Sequence, residues 1–353
     1  MGFGMAWSKP EFKSKSDVDR AGEALIDAVP SGDQLRIINN WRSIHAYPLL
    51  ITRKTLSTRA RKVDGNALIS QRTKRIQAIQ LKLSENRKHG LTMNLSQMQD
   101  IGGCRATMET VQDVEKLVQV YESAWKKNPA RGGLLKRKHD YIASPKPSGY
   151  RGVHLVCKYQ SESKENAVYN GLQIEVQIRS LLQHYWATAV ETIDFFTGQI
   201  LKSNIGQLEW QRFFVLASNE FARMECRPLI PGAPHEQADS IAELRMMSHQ
   251  INTISGIQTA HKVITAEEVE RGGQLYLLQL DLDARTIERT TFGKEELTKA
   301  QEQYLQFEVL HKDNPSKQVV LVSVDSMATL PDAYPNFYLD IDGFQRTLKR
   351  VLS

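Results

Sequence analysis

The segment LQIEVQIR at 172–179 alternates at every position. Leu172, Ile174, Val176 and Ile178 fall on one face and Gln173, Glu175, Gln177 and Arg179 on the other, because successive strand side chains point oppositely. It reads as a strand with one core face and one polar face. The preceding run GVHLVCKY at 152–159 predicts a second strand, reached through a polar, turn-like connection. A third strand at 103–108 leads into a helix over 111–127, where Val114, Leu117, Val118 and Tyr121 recur at helical spacing. Between these elements lie a Gly- and Lys-rich run at 128–138 and the loop SPKPSGY, whose prolines and glycine exclude helix.

The first ninety residues read as helical: one helix after a capping Ser16, one over 33–45, and a long basic one over 66–88. Helices are also expected over 181–195, 206–226 and 236–260, with RPLIPGAP at 227–234 marking a boundary. From 275 the pattern restarts with LYLLQLDLD, TIERTTF, a helix over 295–311, the strand QVVLVSVD, YPNFYLD and a closing helix. That is a second, small α/β module. The division expected is a helical segment at 1–44, a catalytic domain at 45–235, a connecting helix at 236–261 and a C-terminal domain at 262–353.

With 353 residues, 41% of them hydrophobic, the chain has room for one large core or two smaller ones. The 46 Lys and Arg against 40 Asp and Glu suit a polyanionic partner such as a nucleotide or RNA. Cys104, Cys157 and Cys226 are odd in number and far apart, so they build neither a disulfide framework nor a paired zinc site. A cytoplasmic location is expected, with no export signal. Apolar runs such as VVLV are far shorter than the roughly 20 residues a membrane-spanning helix needs.

Two carboxylates and a basic cluster invite phosphoryl-transfer chemistry, which needs a metal to bridge phosphate oxygens, cations to offset charge and a base for the hydroxyl proton. Asp100 stands before the strand GGCRATM, where Gly102 and Gly103 let backbone approach a ligand, and Glu175 sits mid-strand on the polar face. Taken singly, an aspartate at a strand entrance is a cap or turn former, and a strand glutamate between Gln and Arg is a solvated sheet face.

Their company decides between these readings. In order the chain gives a basic stretch with Arg72, Lys74 and Lys82, then MQDIGGCRA, then KHDYIASPKPSGYRGVH, then IEVQIRSLLQHYWA. This series over about 45–200 resembles the synthetase domain of the RelA/SpoT family, whose members make (p)ppGpp and related products. The resemblance implies an α/β fold of the α+β kind: a mixed-sheet, nucleotidyltransferase-like domain flanked by helices. It implies an ATP-dependent pyrophosphokinase using Mg2+, with Asp100 as metal ligand and Glu175 completing the metal site and activating the acceptor hydroxyl. Arg72, Lys74, Lys82 and Arg105 would hold ATP. Tyr150 would stack on the acceptor base, with Lys138, Lys146, Arg151, His154, Gln177, Arg179 and His184 lining the acceptor side.

A single synthetase followed by an α/β module further resembles the fused toxin and antitoxin proteins of the CapRel type, whose second half is a pseudo-zinc-finger without metal. By that resemblance the protein pyrophosphorylates the 3′ end of tRNA, blocks translation, and is held off by its C-terminal domain until a phage protein triggers it. The aromatics of YPNFY, namely Tyr334, Phe337 and Tyr338, would be the autoinhibitory group, although Phe337 stands where that pattern has a second tyrosine. Arg53, Lys54, Arg59 and Arg61 would bind the tRNA backbone. The alternatives are a small alarmone synthetase acting on a free purine nucleotide, and a catalytically silent RNA-binding module.

Overall fold

The structure, a computed structural model, describes residues 7–27, 30–127, 134–200, 207–255, 264–265, 275–284, 286–293, 296–311, 314, 316–324, 330–334 and 341–353. Helix α1 (Lys15–Asp27) begins where the Asp17 carboxylate accepts the amides of Lys13 and Ser14, so Asp17 rather than Ser16 serves its first turn. Helix α2 (Gly32–Ile44) starts at a reciprocal capping box between Ser31 and Gln34, and α3 (Ala46–Val63) follows at once, with Pro48 in its first turn, where no amide is needed.

The segment 66–88, read as one helix, is instead strand β1 (Leu68–Thr73) followed by α4 (Ile76–Lys88). Charge misled the reading, because Arg72 and Lys74 look like a continuous basic helix face. Ladder pairing settles β1: its backbone bonds β2 (Gly102–Met108) along its whole length. Helix α5 (Val111–Lys127) covers the sheet, and β3 (Leu134–Asp140), β4 (Val153–Lys158) and β5 (Gln173–Ser180) complete the first half. Helices α6 (Leu181–Ile200), α7 (Gln207–Met224) and α8 (Gln237–Ser255) follow.

The C-terminal residues add β6 (Ile264–Thr265), β7 (Leu275–Asp281), β8 (Thr286–Phe292), α9 (Leu297–Leu310), β9 (Lys317–Val324), α10 (Leu330–Ala333) and α11 (Asp342–Leu352). Among the described residues the strands form one nine-stranded mixed sheet, ordered β3-β4-β5-β2-β1-β9-β7-β8-β6. The two halves join by antiparallel pairing of β1 with β9, over Ser70, Gln71 and Arg72 opposite Val324, Ser323 and Val322.

One face of the first half buries Ile174, Val176 and Ile178 against α3 and α5, the core side that strand alternation predicts. The opposite face carries Glu175, Gln177 and Arg179. A helical core of Trp186, Phe213, Phe214 and Phe221 lies beside that polar face, and Phe344 of α11 plugs into it.

Candidate active site

Parallel pairing of β2 with β5 sets Gly103 opposite Glu175 and Arg105 opposite Gln177. The two glycines of GGC divide their tasks. A Cβ on Gly102 would sit 2.9 Å from Ile174 Cδ1, so Gly102 serves packing, whereas one on Gly103 would meet only the Glu175 carbonyl at 4.0 Å. Gly103 therefore lies along a cavity, which is also lined by Ser70, Arg72, Lys74, Asp100, Arg105, Glu175, Gln177, Glu191 and Tyr334.

On one side of this cleft the ammonium groups of Lys74 and Lys82 both donate to Asp100 Oδ2, at 3.0 and 2.9 Å. Burial acts to raise the Asp100 pKa, but the two lysines outweigh it and hold the carboxyl below its ordinary value. The second oxygen, Oδ1, is buried without a hydrogen-bond partner. A buried carboxylate oxygen aimed at nothing is costly. With Glu175 lining the same cavity, this donor set fits a hard cation that keeps several waters. Among the described residues no cluster of three or more His, Cys, Asp or Glu side chains is able to hold a metal by itself.

On the other side, Glu175 Oε1 lies 2.9 Å from His154 Nδ1 and Oε2 accepts from Gln177 Nε2 at 2.7 Å. The carboxylate only accepts, so Nδ1 donates and Nε2 is left to bond the Tyr150 hydroxyl. Arg179 donates to the same hydroxyl at 3.0 Å and to Gln177 at 3.1 Å. Burial pushes the Glu175 pKa up, but His154, followed by Gln177 and Lys82, brings it down to about 2.

The Tyr150 ring is carried on a turn that only glycine permits. Gly149 has φ of 90°, and a Cβ there would sit 3.0 Å from Trp186. Lys146 stands over the rings of Tyr141 and Tyr150, at 4.4 and 5.4 Å from their centroids.

The structure thus gathers Arg72, Lys74, Arg105, Asp100, Glu175, Gln177 and Tyr334 around one cavity, with Lys82, Tyr150, His154 and Arg179 bonded to them. Others lie elsewhere. Arg151 is 2% exposed, and its guanidinium pairs with Glu225 and donates to Ser218, behind the loop rather than toward the cleft. His184 is buried. Lys138 pairs with Glu122 and Asp140 on an outer face. Of the four α3 residues expected to bind a tRNA backbone, Arg53 is buried and Arg59 stacks 4.5 Å over Tyr121, which leaves Lys54 and Arg61 exposed.

Tyr334 is buried, and its hydroxyl donates to the Gln71 carbonyl on β1. Burial raises its pKa to about 12 even though Arg105 and Arg72 act in the opposite direction. Phe337 and Tyr338 lie outside the described residues. Sequence reasoning missed Glu191 of α6, which lines the cavity and is kept ionised, despite burial, by Arg72, Arg105 and Arg179. The only sequence signal was an acidic residue in a largely apolar helix.

Residues 71–194 match the family profile described as "Region found in RelA / SpoT proteins", and the chain carries a RelA/SpoT region. It is 29% identical over 141 residues to GTP pyrophosphokinase YjbM of Bacillus subtilis (strain 168), covering 39% of this chain and 62% of that protein. It is 25% identical over 130 residues to GTP pyrophosphokinase YwaC of the same organism, covering 36% of this chain and 58% of that protein. The matches thus span less than two thirds of either relative. Among solved structures, the small alarmone synthetase 1 of Bacillus subtilis bound to its product pppGpp aligns at 26% identity and a TM-score of 0.35, covering 44% of this chain and 73% of that one. The small alarmone synthetase 2 of the same organism aligns at 20% identity and a TM-score of 0.39, covering 50% and 92%. Among the described residues no helix is long and apolar enough to cross a membrane.

Proposed function

We propose that the chain is an ATP-dependent pyrophosphokinase, with residues 45–235 as synthetase, 236–261 as connecting segment and 262–353 as regulatory domain. The observation that carries this is the convergence of Lys74 and Lys82 on Asp100, across a cleft from Glu175, His154 and Tyr150. In the transfer, the acceptor hydroxyl oxygen bonds to the β-phosphorus of ATP as the bond from that phosphorus to the α-phosphate oxygen breaks, releasing AMP. A magnesium ion, when bound by Asp100 and Glu175, offsets charge on the phosphate oxygens. Lys74 and Lys82 hold the phosphates, and the Tyr150 ring supports the acceptor base. Glu175 takes the hydroxyl proton once the substrate replaces one of its two present partners.

The acceptor we favour is the 3′ hydroxyl of a tRNA end, with translation arrest as the result and a phage protein as trigger. Support for a regulated enzyme of this kind comes from Tyr334. It belongs to the C-terminal half, packs in that half's core with Tyr276, Val320 and Leu330, and lines with Arg72 and Arg105 a cavity of about 110 Å³ beside the two carboxylates. Nucleotide sites need on the order of 300 Å³ or more. A free purine nucleotide is the second reading, favoured by the two pyrophosphokinase relatives.

Incubating the chain with γ-labelled ATP and either GDP or deacylated tRNA separates the two readings by which product carries label. Replacing Tyr334 with Ala should raise labelling at least about tenfold, since opening the cleft removes the population cost of the closed form. An unchanged rate in a folded Tyr334→Ala chain rejects the occlusion.

A further inference from the structure

Helix α4 begins without a cap of its own. Its N-cap residue is Arg75, which makes no side-chain cap bond, and arginine has no oxygen with which to accept the first amides. The missing acceptor arrives from the other half of the molecule: Glu308 of α9 accepts the Ile76 amide through Oε1 at 3.0 Å. A carboxylate at this end of a helix is favoured by the exposed amides and the helix dipole.

The other oxygen of Glu308 lies 2.9 Å from Arg42 Nη1, and both side chains are 3% exposed. Arg42 Nε in turn donates to the Lys74 carbonyl at 2.9 Å. The Tyr304 hydroxyl donates to Glu308 at 3.1 Å, and its ring lies 5.2 Å from the Arg42 guanidinium.

These contacts close a circuit. From Glu308 one arm runs through Arg42 to the backbone of Lys74, and the other through the Ile76 amide to α4, which carries Lys82. Both lysines end on Asp100 Oδ2. We infer that Glu308 is a positioning residue, supplied by the C-terminal half, that sets Lys74 and Lys82 to receive the phosphates of ATP. The assignment rests on the reading of those lysines as phosphate-binding residues. Without Glu308, Arg42 is a buried cation with no counter-charge, a state proteins leave by moving the group toward water. Its bond to Lys74 then goes, and the first turn of α4 is uncapped. The same half that inserts Tyr334 into the cleft therefore also completes the phosphate side of that cleft.

The test uses the full chain carrying Tyr334→Ala, so that occlusion does not mask the effect. Adding Glu308→Ala should raise KM for ATP about tenfold, the scale on which supporting partners of ligand-binding groups act, while KM for the acceptor stays within about twofold. Glu308→Gln keeps an oxygen for the Ile76 amide and loses the charge facing Arg42, so it should fall between the two, and it remains readable if the alanine chain does not fold. In the chain with native Tyr334, a latch-only role predicts faster transfer and no change of KM for ATP in the open background; that pattern overturns the proposal. Absence of transfer from the Tyr334→Ala chain with either acceptor would instead reject the pyrophosphokinase reading. Affinity for a non-hydrolysable ATP analogue, measured on the same chains, still reads the Glu308 effect in that case, and equal affinities overturn it.

Discussion

The two carboxylates of the cleft are both buried and both held ionised, yet by opposite means. Asp100 is held by two ammonium groups on one oxygen, with its second oxygen partnerless. Both oxygens of Glu175 are occupied, one by the His154 ring and one by the Gln177 amide, and His154 ties the carboxylate to Tyr150. The Asp100 side is a charge cluster that a polyphosphate can exchange into. The Glu175 side is a hydrogen-bonded chain that fixes an aromatic platform. On the function proposed above, the donor nucleotide belongs to the first side and the acceptor to the second.

The largest test of that division removes each charge in turn. Asp100→Asn and Glu175→Gln should each lower transfer by about a thousandfold or more while the thermal midpoint moves only a few degrees, because neither changes core volume. Beyond that shared loss, Glu175→Gln should weaken acceptor binding by disturbing His154 and Tyr150, and Asp100→Asn should leave it unchanged. Binding isotherms that weaken alike in both variants would break the comparison.

A smaller effect is expected at the platform. Tyr150→Ala should cost on the order of 1–3 kcal/mol in acceptor binding. Tyr150→Phe, which keeps the ring but loses the bonds to His154 and Arg179, should cost less. KM for ATP should be unaffected by either.

A separate test concerns pH and the Asp100 side alone. Buried His45, whose Nδ1 bonds the Trp41 carbonyl, packs near Gly102 at the entrance to β2. Burial lowers its pKa from 6.5 to about 4. The unfolded chain then binds the proton first, so the neutral form contributes stability above pH 6.5. That contribution is lost as pH falls toward 4, by up to roughly 3 kcal/mol. Denaturant midpoints between pH 7 and 4.5 should fall less steeply for His45→Gln than for the parent.

Wherever a local pattern determined the outcome, the fold was legible. The alternation in 172–179 and the helical spacing in 111–127 each became the expected element, because one face had to be buried. The segment 66–88 was not legible. The environment of β1 comes from β9, far along the chain, and no window around Arg72 contains that partner. In the site, motif order marked Asp100, Glu175 and Tyr150, which the fold brings to one cleft. It gave no sign that Arg151 turns back to Glu225, because neighbouring loop residues point in different directions and only the surrounding helices decide which is buried. Glu308 was invisible for the same reason: its meaning lies in an uncapped helix that begins more than two hundred residues earlier.

Pairing β1 with β9 also imposes an order in time. The Tyr334 hydroxyl and its Gln71 acceptor are 263 positions apart. At about 5–20 residues per second of synthesis, on the order of 10–50 s separate the making of Gln71 from that of Tyr334. Through that interval β1 is an open sheet edge, able to pair with any extended strand nearby. A growing chain therefore passes through a stage with an exposed edge, which ends only when the sheet's missing neighbour is made.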